Sequence, residues 1–328
     1  MTECNVIIMC PIKPMHPMSH STHSSLRIGI DLGGTKTEAV LMAADSRLLA
    51  VERLPTPGSD YQGQIATVIE LVQRMEKHAQ RRGLPVGIGH PGALLPVSGL
   101  IQNANSLCLN GQPLQRDIEA ALGRPVRMAN DADCLAVSEA ADGAAAGAAC
   151  VFAVILGTGV GGGLVIDGKL RQGPNAIAGE WGHNALPWPR ADWGEVPGPL
   201  HWDGQHGVIE AWLSGPGLAA DHARQGGASL SGEAIVAAAA AGDASAEASL
   251  NRYEHRLARA LASVINLLDP EVIVLGGGLS RLARLYDKVP ALWGQWVFSA
   301  EVKTRLLPAR HGDSSGVRGA AWLWPAGG

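Results

Sequence analysis

The chain has 328 residues, 46% of them hydrophobic and 17% charged, with a formal net charge of -4. That length and apolar content make a globular protein with a large core, and two domains rather than one. The scattered Lys and Arg form no basic stripe, which argues against a nucleic-acid partner, and no apolar run reaches the roughly 18 to 20 residues that span a bilayer. Five cysteines, Cys4, Cys10, Cys108, Cys134 and Cys150, show no CxxC spacing and read as free thiols of a reducing, cytoplasmic compartment.

Residues 1–25, with Pro11, Pro14, Pro17 and a run of Ser and Thr, carry no usable periodicity. They read as a disordered or non-native leader, with Met15 or Met18 as the start of the natural chain. Arg27 to Asp31 then alternates, Gly33-Gly34-Thr35-Lys36 turns, and Thr37 to Met42 alternates again, which is a β-hairpin. A P-loop would need G-x-x-x-x-G-K-[ST] and a helix at this point. Helices are expected over Gln64 to Arg81, Leu114 to Leu122 and Asp131 to Ala146.

The strand Val151 to Leu156 enters a second glycine turn, Gly157-Thr158-Gly159-Val160-Gly161-Gly162-Gly163. Its G-x-G-x-x-G spacing imitates a Rossmann fingerprint, but that motif requires a helix next, whereas Gly163 to Gly168 alternates and turns, so this too is a hairpin. Gly232 to Ala241 and the amphipathic Arg252 to Leu268 are helical, the latter stopped by Asp269-Pro270. The strand Glu271 to Leu275 leads into Gly276-Gly277-Gly278, with Ser280 to Leu285 expected as a helix. Strands alternate with helices, so the class is α/β. The first two glycine turns lie about 120 residues apart. Both are stripped of side chains so that backbone N–H groups can approach an anion, and together they suggest two halves facing one nucleotide.

Residue chemistry alone leaves alternatives open. Asp131, at a helix start, is either a helix N-cap or a base at the floor of a cleft. Glu180 and His183 in a glycine-rich loop, and Glu210 beyond Gly204 and Gly207, are either surface polar groups or partners for sugar hydroxyls. Asp31 either caps its own hairpin or orients a cation, and Lys36 is either solvated or a point charge for phosphate. His90 either tunes a pocket wall or does nothing.

The order strand, glycine turn, strand, repeated and followed by a strand and Gly-Gly-Gly, resembles the actin, Hsp70 and hexokinase superfamily. The fold implied is an actin-like ATPase (ribonuclease H-like) fold, two similar lobes with a nucleotide and sugar cleft between them. Asp31-Leu32-Gly33-Gly34-Thr35-Lys36, Asn130-Asp131-Ala132 and Gly179-Glu180-Trp181-Gly182-His183-Asn184 resemble signatures of the ROK family of bacterial sugar kinases and repressors. Asn103-Ala104-Asn105-Ser106, Leu109-Asn110-Gly111-Gln112-Pro113 and the tail His311 to Trp322 are similar to the bacterial fructokinases of that family, the manno(fructo)kinases.

The resemblance implies ATP-dependent phosphorylation of a hexose, D-fructose to D-fructose 6-phosphate, with glucose, mannose or an N-acetylhexosamine as alternatives. It implies Asp131 as the general base and Asn105, Asn130, Glu180, His183 and Glu210 as sugar ligands. It places Asp31, Gly33, Gly34, Thr35 and Lys36 with Mg²⁺ and the β- and γ-phosphates, Gly157, Thr158, Gly159 and Gly161 on phosphate, and Gly276, Gly277 and Gly278 by the adenosine. One lobe would be 26–130 with 312–328, the other 131–311, in a homodimer. A sugar-binding regulator without catalysis would need a helix-turn-helix ahead of this unit, and residues 1–25 offer no such pattern. An Hsp70-like switch would need a peptide-binding domain.

In one respect the chain departs from the family. A Cys-x-Cys-Gly-x-x-Gly-Cys run there joins the loop histidine on a structural Zn²⁺, whereas here His201, Asp203 and Val208 stand at the cysteine positions. Without thiolates no structural zinc is expected, the alternative being a rebuilt site from His183, His201 and Asp203. Packing of Leu200 and Trp202, with Pro187, Pro189, Pro197 and Pro199, is expected to stiffen the loop instead.

Overall fold

The computed structural model describes residues 26–325, so the expected leader lies outside the described residues. The chain opens with an antiparallel meander of β1 (Arg27–Leu32), β2 (Lys36–Met42) and β3 (Leu48–Pro55). It continues through α1 (Tyr61–Ala79), β4 (Val86–His90), the short pair β5 (Ala93–Leu94) and β6 (Ile101–Gln102), α2 (Leu114–Leu122) and β7 (Arg127–Asn130). β4 joins β1 in parallel and β7 joins β4 in parallel, giving the order β3-β2-β1-β4-β7.

After α3 (Asp131–Ala141) the scheme repeats. β8 (Cys150–Leu156), β9 (Val160–Ile166) and β10 (Lys169–Leu170) form a second antiparallel meander. Four helices follow: α4 (Ile209–Leu213), α5 (Gly215–Arg224), α6 (Gly232–Ala240) and α7 (Ala244–Leu268). β11 (Val272–Gly276) then pairs with β8 in parallel, and after α8 (Arg284–Leu292), β12 (Arg305–Pro308) pairs with β11, so the order is β10-β9-β8-β11-β12. α9 (Ser315–Trp322) ends the fold. The two sheets share one sequence of strand directions, and each glycine turn occupies the first hairpin of its sheet.

Central strands such as β4 and β11 are buried along their whole length, as parallel strands covered on both faces must be. α1 and α2 cover one face of the first sheet, with Ile28, Leu71, Ile88 and Ile118 in their shared core. α4 to α8 cover the second sheet around Trp212, Tyr253, Leu261 and Trp293. The remaining faces are closed by α9 on β1 and β4 and by α3 on β8 and β9, and these two helices pack on each other. Glycine makes that close approach possible: a Cβ at Gly87 would overlap the Ala320 carbonyl, and one at Gly319 the Cys134 carbonyl.

Several boundaries differ from expectation. α3 stops at Ala141, because Asp142 leaves helical geometry (φ -144) just before Gly143. α7 starts at Ala244, where the Asp243 carboxylate accepts from Ser245 and Ala246 N–H; its small-residue opening hides the periodicity. Ser280 to Leu285 is not one helix but a 3₁₀ turn, Gly278–Arg281, followed by α8 from Arg284.

Candidate active site

β7 delivers the chain to the cleft at Asn130, whose Oδ1 accepts the Asp133 N–H at 2.6 Å and caps α3. Asp131 is therefore the first helical residue, not the cap, and its Oδ1 takes only the adjoining Ala132 N–H at 2.8 Å. Its side chain is exposed to the cleft. The surrounding walls nevertheless crowd it, and desolvation raises its carboxyl above the usual carboxylate range despite that N–H. A carboxylate at the floor of an open crevice satisfies both observations.

A cavity of about 430 Å³ opens over it. Asp31, Gly33, Gly34 and Lys36 of the first turn, Asn105, Asp131, and Gly276 and Gly277 of the third glycine cluster all line this space. Four more wall residues, Gly312, Asp313, Ser315 and Gly316, come from the approach to α9, and Ser106, His90 and the apolar Leu32, Pro91, Leu135 and Ile155 complete it. Sequence reasoning gave the tail no site role, although a Gly-Asp-Ser-Ser-Gly run before an apolar stretch is a recognisable helix start. His90 is a buried wall residue whose Nδ1 lies 3.0 Å from the Pro91 carbonyl, and burial lowers its pKa, so a neutral ring faces the cleft. Thr35 and Gly278 sit in the same turns without lining the cavity.

Asp31 is pushed up to about 6 by burial, with repulsion from Asp131 and Glu38 adding to it and Lys36 opposing. Crowded carboxylate oxygens offset by one lysine are the hard, anionic donor set that suits Mg²⁺. Asp31 would hold that ion, which leaves Asp131 free for a hydroxyl. A larger cavity, about 740 Å³, lies near the end of α9 between Met128, Lys169 and Trp322, and contains neither carboxylate nor histidine in its walls. The chemistry points to the smaller one.

The second glycine turn adjoins the cleft without lining it. A Cβ on Gly277 would come 2.5 Å from the Leu156 carbonyl, and one on Gly161 would come 3.2 Å from the Cβ of Ala132, next to Asp131. Gly157 accepts from Gly215 N–H at 2.8 Å, and Thr158 is exposed at the tip. A Cβ at Gly159 would come 2.7 Å from Glu210 Oε2, so bare backbone here lets Glu210 approach the turn. Glu210 in fact accepts the Val160 N–H at 2.8 Å.

Glu180, His183 and Glu210 gather on this side. Burial raises the Glu180 carboxyl, His183 counteracts, and the charges of Asp131 and Glu210 add to the rise, although none of Glu180, His183 and Glu210 lines the cavity over Asp131. For Glu210, burial works upward but loses to its donors: Val160 N–H, His201 and Trp202 hold it below the usual range. His201 Nε2 lies 2.9 Å and Trp202 Nε1 3.2 Å from its Oε1. His201 was placed in sequence only as a cysteine replacement; its hold on Glu210 is visible only in three dimensions.

The loop is not stiffened as expected. Leu200 and Trp202 are 65% and 66% exposed and do not pack in the core. Instead Glu195, fully buried, takes Arg256 Nε and the two terminal nitrogens of Arg259 at 2.8 Å each, and Trp202 works through its indole N–H. These ion pairs tie the loop to α7. With thiolates absent, the donors left for a zinc ion are His183, His201 and Asp203, whose ligand atoms fall within 4.8 Å of one another. His201 Nδ1 is buried there without a hydrogen-bond partner, so the chemistry of the set fits a metal even though it differs from the thiolate set.

The ROK family pattern matches residues 27–326. The chain belongs to the ROK family. It is 39% identical over 300 residues to an N-acetyl-D-glucosamine kinase of Photobacterium profundum and 38% identical over 299 residues to one of Aliivibrio salmonicida, covering 90% of this chain and 98% of each relative. Among solved structures it superposes on the ROK hexokinase of Thermus thermophilus with a TM-score of 0.81 at 31% identity, over 90% of this chain and 97% of the other. It superposes on the ROK glucokinase of Streptomyces griseus, solved with glucose and AMPPNP, with a TM-score of 0.73 at 29% identity, over 91% and 98%. The duplicated sheet pair of this ROK chain is thus the actin-like ATPase fold. No helix among the described residues is long and apolar enough to cross a membrane.

Proposed function

We propose that this ROK sugar kinase transfers the γ-phosphoryl group of ATP to the 6-hydroxyl of a hexose, with Asp131 as the base. The observation that carries the reading is the convergence of Asp131, Asp31, Lys36 and Gly276–Gly277 on one cavity, with Glu210 bound to the second glycine turn where that turn packs against Ala132. Phosphoryl transfer needs placement and charge compensation more than covalent help. Asp131, with its raised affinity for protons, accepts the hydroxyl proton as the oxygen attacks. Asn105, Asn130, Glu180, His183 and Glu210 hold the sugar. His183 Nδ1 is taken by Asp203, 3.1 Å away, which leaves Nε2 for a hydroxyl. Backbone of the glycine turns and Lys36 hold the phosphates, and Mg²⁺, when bound, neutralises their charge. The lobes in this reading are 26–130 with 312–328, and 131–311; a cytoplasmic homodimer rests on family resemblance.

The relatives favour N-acetyl-D-glucosamine as the first substrate to test, since those at 36 to 39% identity carry that name. D-fructose stands as the second reading on the stretches Asn103 to Ser106, Leu109 to Pro113 and His311 to Trp322 alone. A coupled assay over N-acetyl-D-glucosamine, fructose, glucose and mannose with ATP and Mg²⁺ separates them. Asp131→Asn should lower kcat by about 10² to 10⁴-fold, the usual worth of a general base. Equal turnover in the two proteins removes Asp131 from the role, and no turnover with any hexose removes the kinase reading.

A further inference from the structure

Three parallel strands of the first sheet end side by side at the cleft. β1 reaches it at Asp31, β4 at His90 and β7 at Asn130; Asp31 pairs with Gly89, and His90 pairs with Asn130. His90 therefore stands on the strand between the residue proposed for the cation and the one that leads into Asp131. Ligands of open α/β sheets bind at such carboxyl ends. The phosphoryl-transfer scheme nevertheless leaves this side chain without a role.

Its hydrogen bonding shows what it has to offer. Nδ1 lies 3.0 Å from the Pro91 carbonyl, which can only accept, so the ring proton sits on Nδ1. Burial disfavours the charged ring, so no second proton is held. Nε2 is left with a lone pair. It has no partner among the described residues and is not sealed from solvent, although the residue as a whole is 2% exposed; its opening is the cleft that the ring lines.

A lone pair fixed in this way takes an O–H or N–H group and meets the bare oxygens of a phosphate unfavourably. A sugar hydroxyl needs an acceptor for its proton and a donor for its oxygen, and Asn105, in the same walls, can donate through its amide. Carboxylates also accept, but charge is already crowded here, since repulsion from Asp131 helps to push Asp31 up to about 6. A further carboxylate at position 90 would add to that repulsion. A neutral imidazole supplies an acceptor and no charge.

Resting on the kinase reading, we infer that His90 Nε2 accepts a hydrogen bond from a hydroxyl group of the bound hexose. His90 is then a sugar-binding residue supplied by the first sheet, whereas Glu180, His183 and Glu210 belong to the second half of the chain.

Nitrogen NMR on the full chain, labelled at histidine, reads the bond directly. The His90 ring, assigned through its own backbone resonances, should show a protonated Nδ1 and a bare Nε2 in the free protein. Adding N-acetyl-D-glucosamine, or whichever of fructose, glucose and mannose binds, should move Nε2 upfield, while Mg²⁺ with a nonhydrolysable ATP analogue alone should leave it in place. In the coupled assay His90→Leu should raise the hexose KM about five- to tenfold, the worth of one hydrogen bond, with the KM for ATP within about twofold. His90→Gln, whose amide can serve the Pro91 carbonyl and whose oxygen can accept, should recover most of that loss. The spectra need no variant, so they decide even where His90→Leu fails to fold. A protonated Nε2 in the free protein, a resonance that ignores the hexose or answers to the nucleotide instead, or an unchanged hexose KM in His90→Leu overturns the inference and leaves the kinase reading standing as long as wild type turns over. Wild type that neither binds nor phosphorylates any of the four hexoses overturns both.

Discussion

Asp133, two residues beyond the proposed base, shows how a single carboxyl can burden the fold. It is buried in the first turn of α3, its Oδ2 takes Gln172 Nε2 at 3.3 Å, and its Oδ1 has no partner. Burial pushes its pKa up to about 7, with Gln172 opposing and the charges of Glu180 and Asp131 reinforcing. A carboxyl whose folded pKa lies above its unfolded value favours the fold below the unfolded pKa, and that advantage is lost as pH rises through the folded one. The loss here spans roughly pH 4 to 7. At about 1.4 kcal/mol per unit the ceiling is about 4 kcal/mol, and relaxation takes part of it. Asp133→Asn keeps an oxygen for Gln172 and removes the charge. Denaturant melts should find it more stable than wild type by about 1–3 kcal/mol at pH 8 and nearly equal at pH 4.5; a variant weaker than wild type at pH 8 refutes the account. Asp131 could be singled out in sequence because it stands at a helix start within an Asn-Asp pair that resembles the ROK signature. Asp133 and His201 could not, because their roles depend on what burial and distant chain bring beside them.

At the scale of elements, α3 serves both ends of the site. Asp131 stands at its start, and Glu139, fully buried, anchors the Gly312–Gly316 wall of the cleft from its last turn. Glu139 accepts from Ala144 N–H at 2.8 Å, Arg310 N–H at 3.0 Å, His311 N–H at 3.4 Å and Ser315 Oγ at 2.9 Å. Those partners flank Gly312, Asp313 and Gly316, which line the cleft. Glu139→Gln replaces one acceptor oxygen by a donor amide facing N–H or O–H groups, and the loop must shift. Misplacement of a binding wall by even 1 Å can cost about 10²-fold. On the kinase reading, the KM for ATP should rise about tenfold while the hexose KM stays within about twofold; a change confined to the sugar constant contradicts the positioning. The hairpins, α2 and the strand before Gly276 were legible because period-2 alternation and glycine boundaries are local signals. β3, β4, β12 and α9 were not read as elements. β4 (Val-Gly-Ile-Gly-His) lacks a run of branched residues, and α9 (Ser-Gly-Val-Arg-Gly-Ala-Ala-Trp) carries two glycines that weaken any helical signature but admit the neighbouring backbone.

For the whole molecule, the decisive contact is the crossing of α3 and α9 between the sheets. α9 belongs by packing to β1 and β4 and α3 to β8 and β9, so their contact joins the sheet of the first glycine turn to that of the second. Gly319 sits at the closest point, against the Cys134 carbonyl, where a methyl group finds backbone and no flexible side chain. Gly319→Ala would help an isolated helix by up to about 1 kcal/mol, yet here it must force the helices apart. Overpacking of this kind costs about 3 kcal/mol or more when backbone has to move. The separation displaces Asp131 and the Gly312–Gly316 wall from each other, since they ride on the two helices. Gly319→Ala should therefore lose both thermal stability and turnover, and saturating ATP with hexose should recover less of the melting temperature than in wild type. Gly123→Ala is the control: Gly123 has open space around its Cβ position but a φ of 67, so its cost is backbone strain alone, about 1 kcal/mol, with turnover unchanged. If both variants melt alike and retain full turnover, the helix crossing does not set the geometry of the cleft.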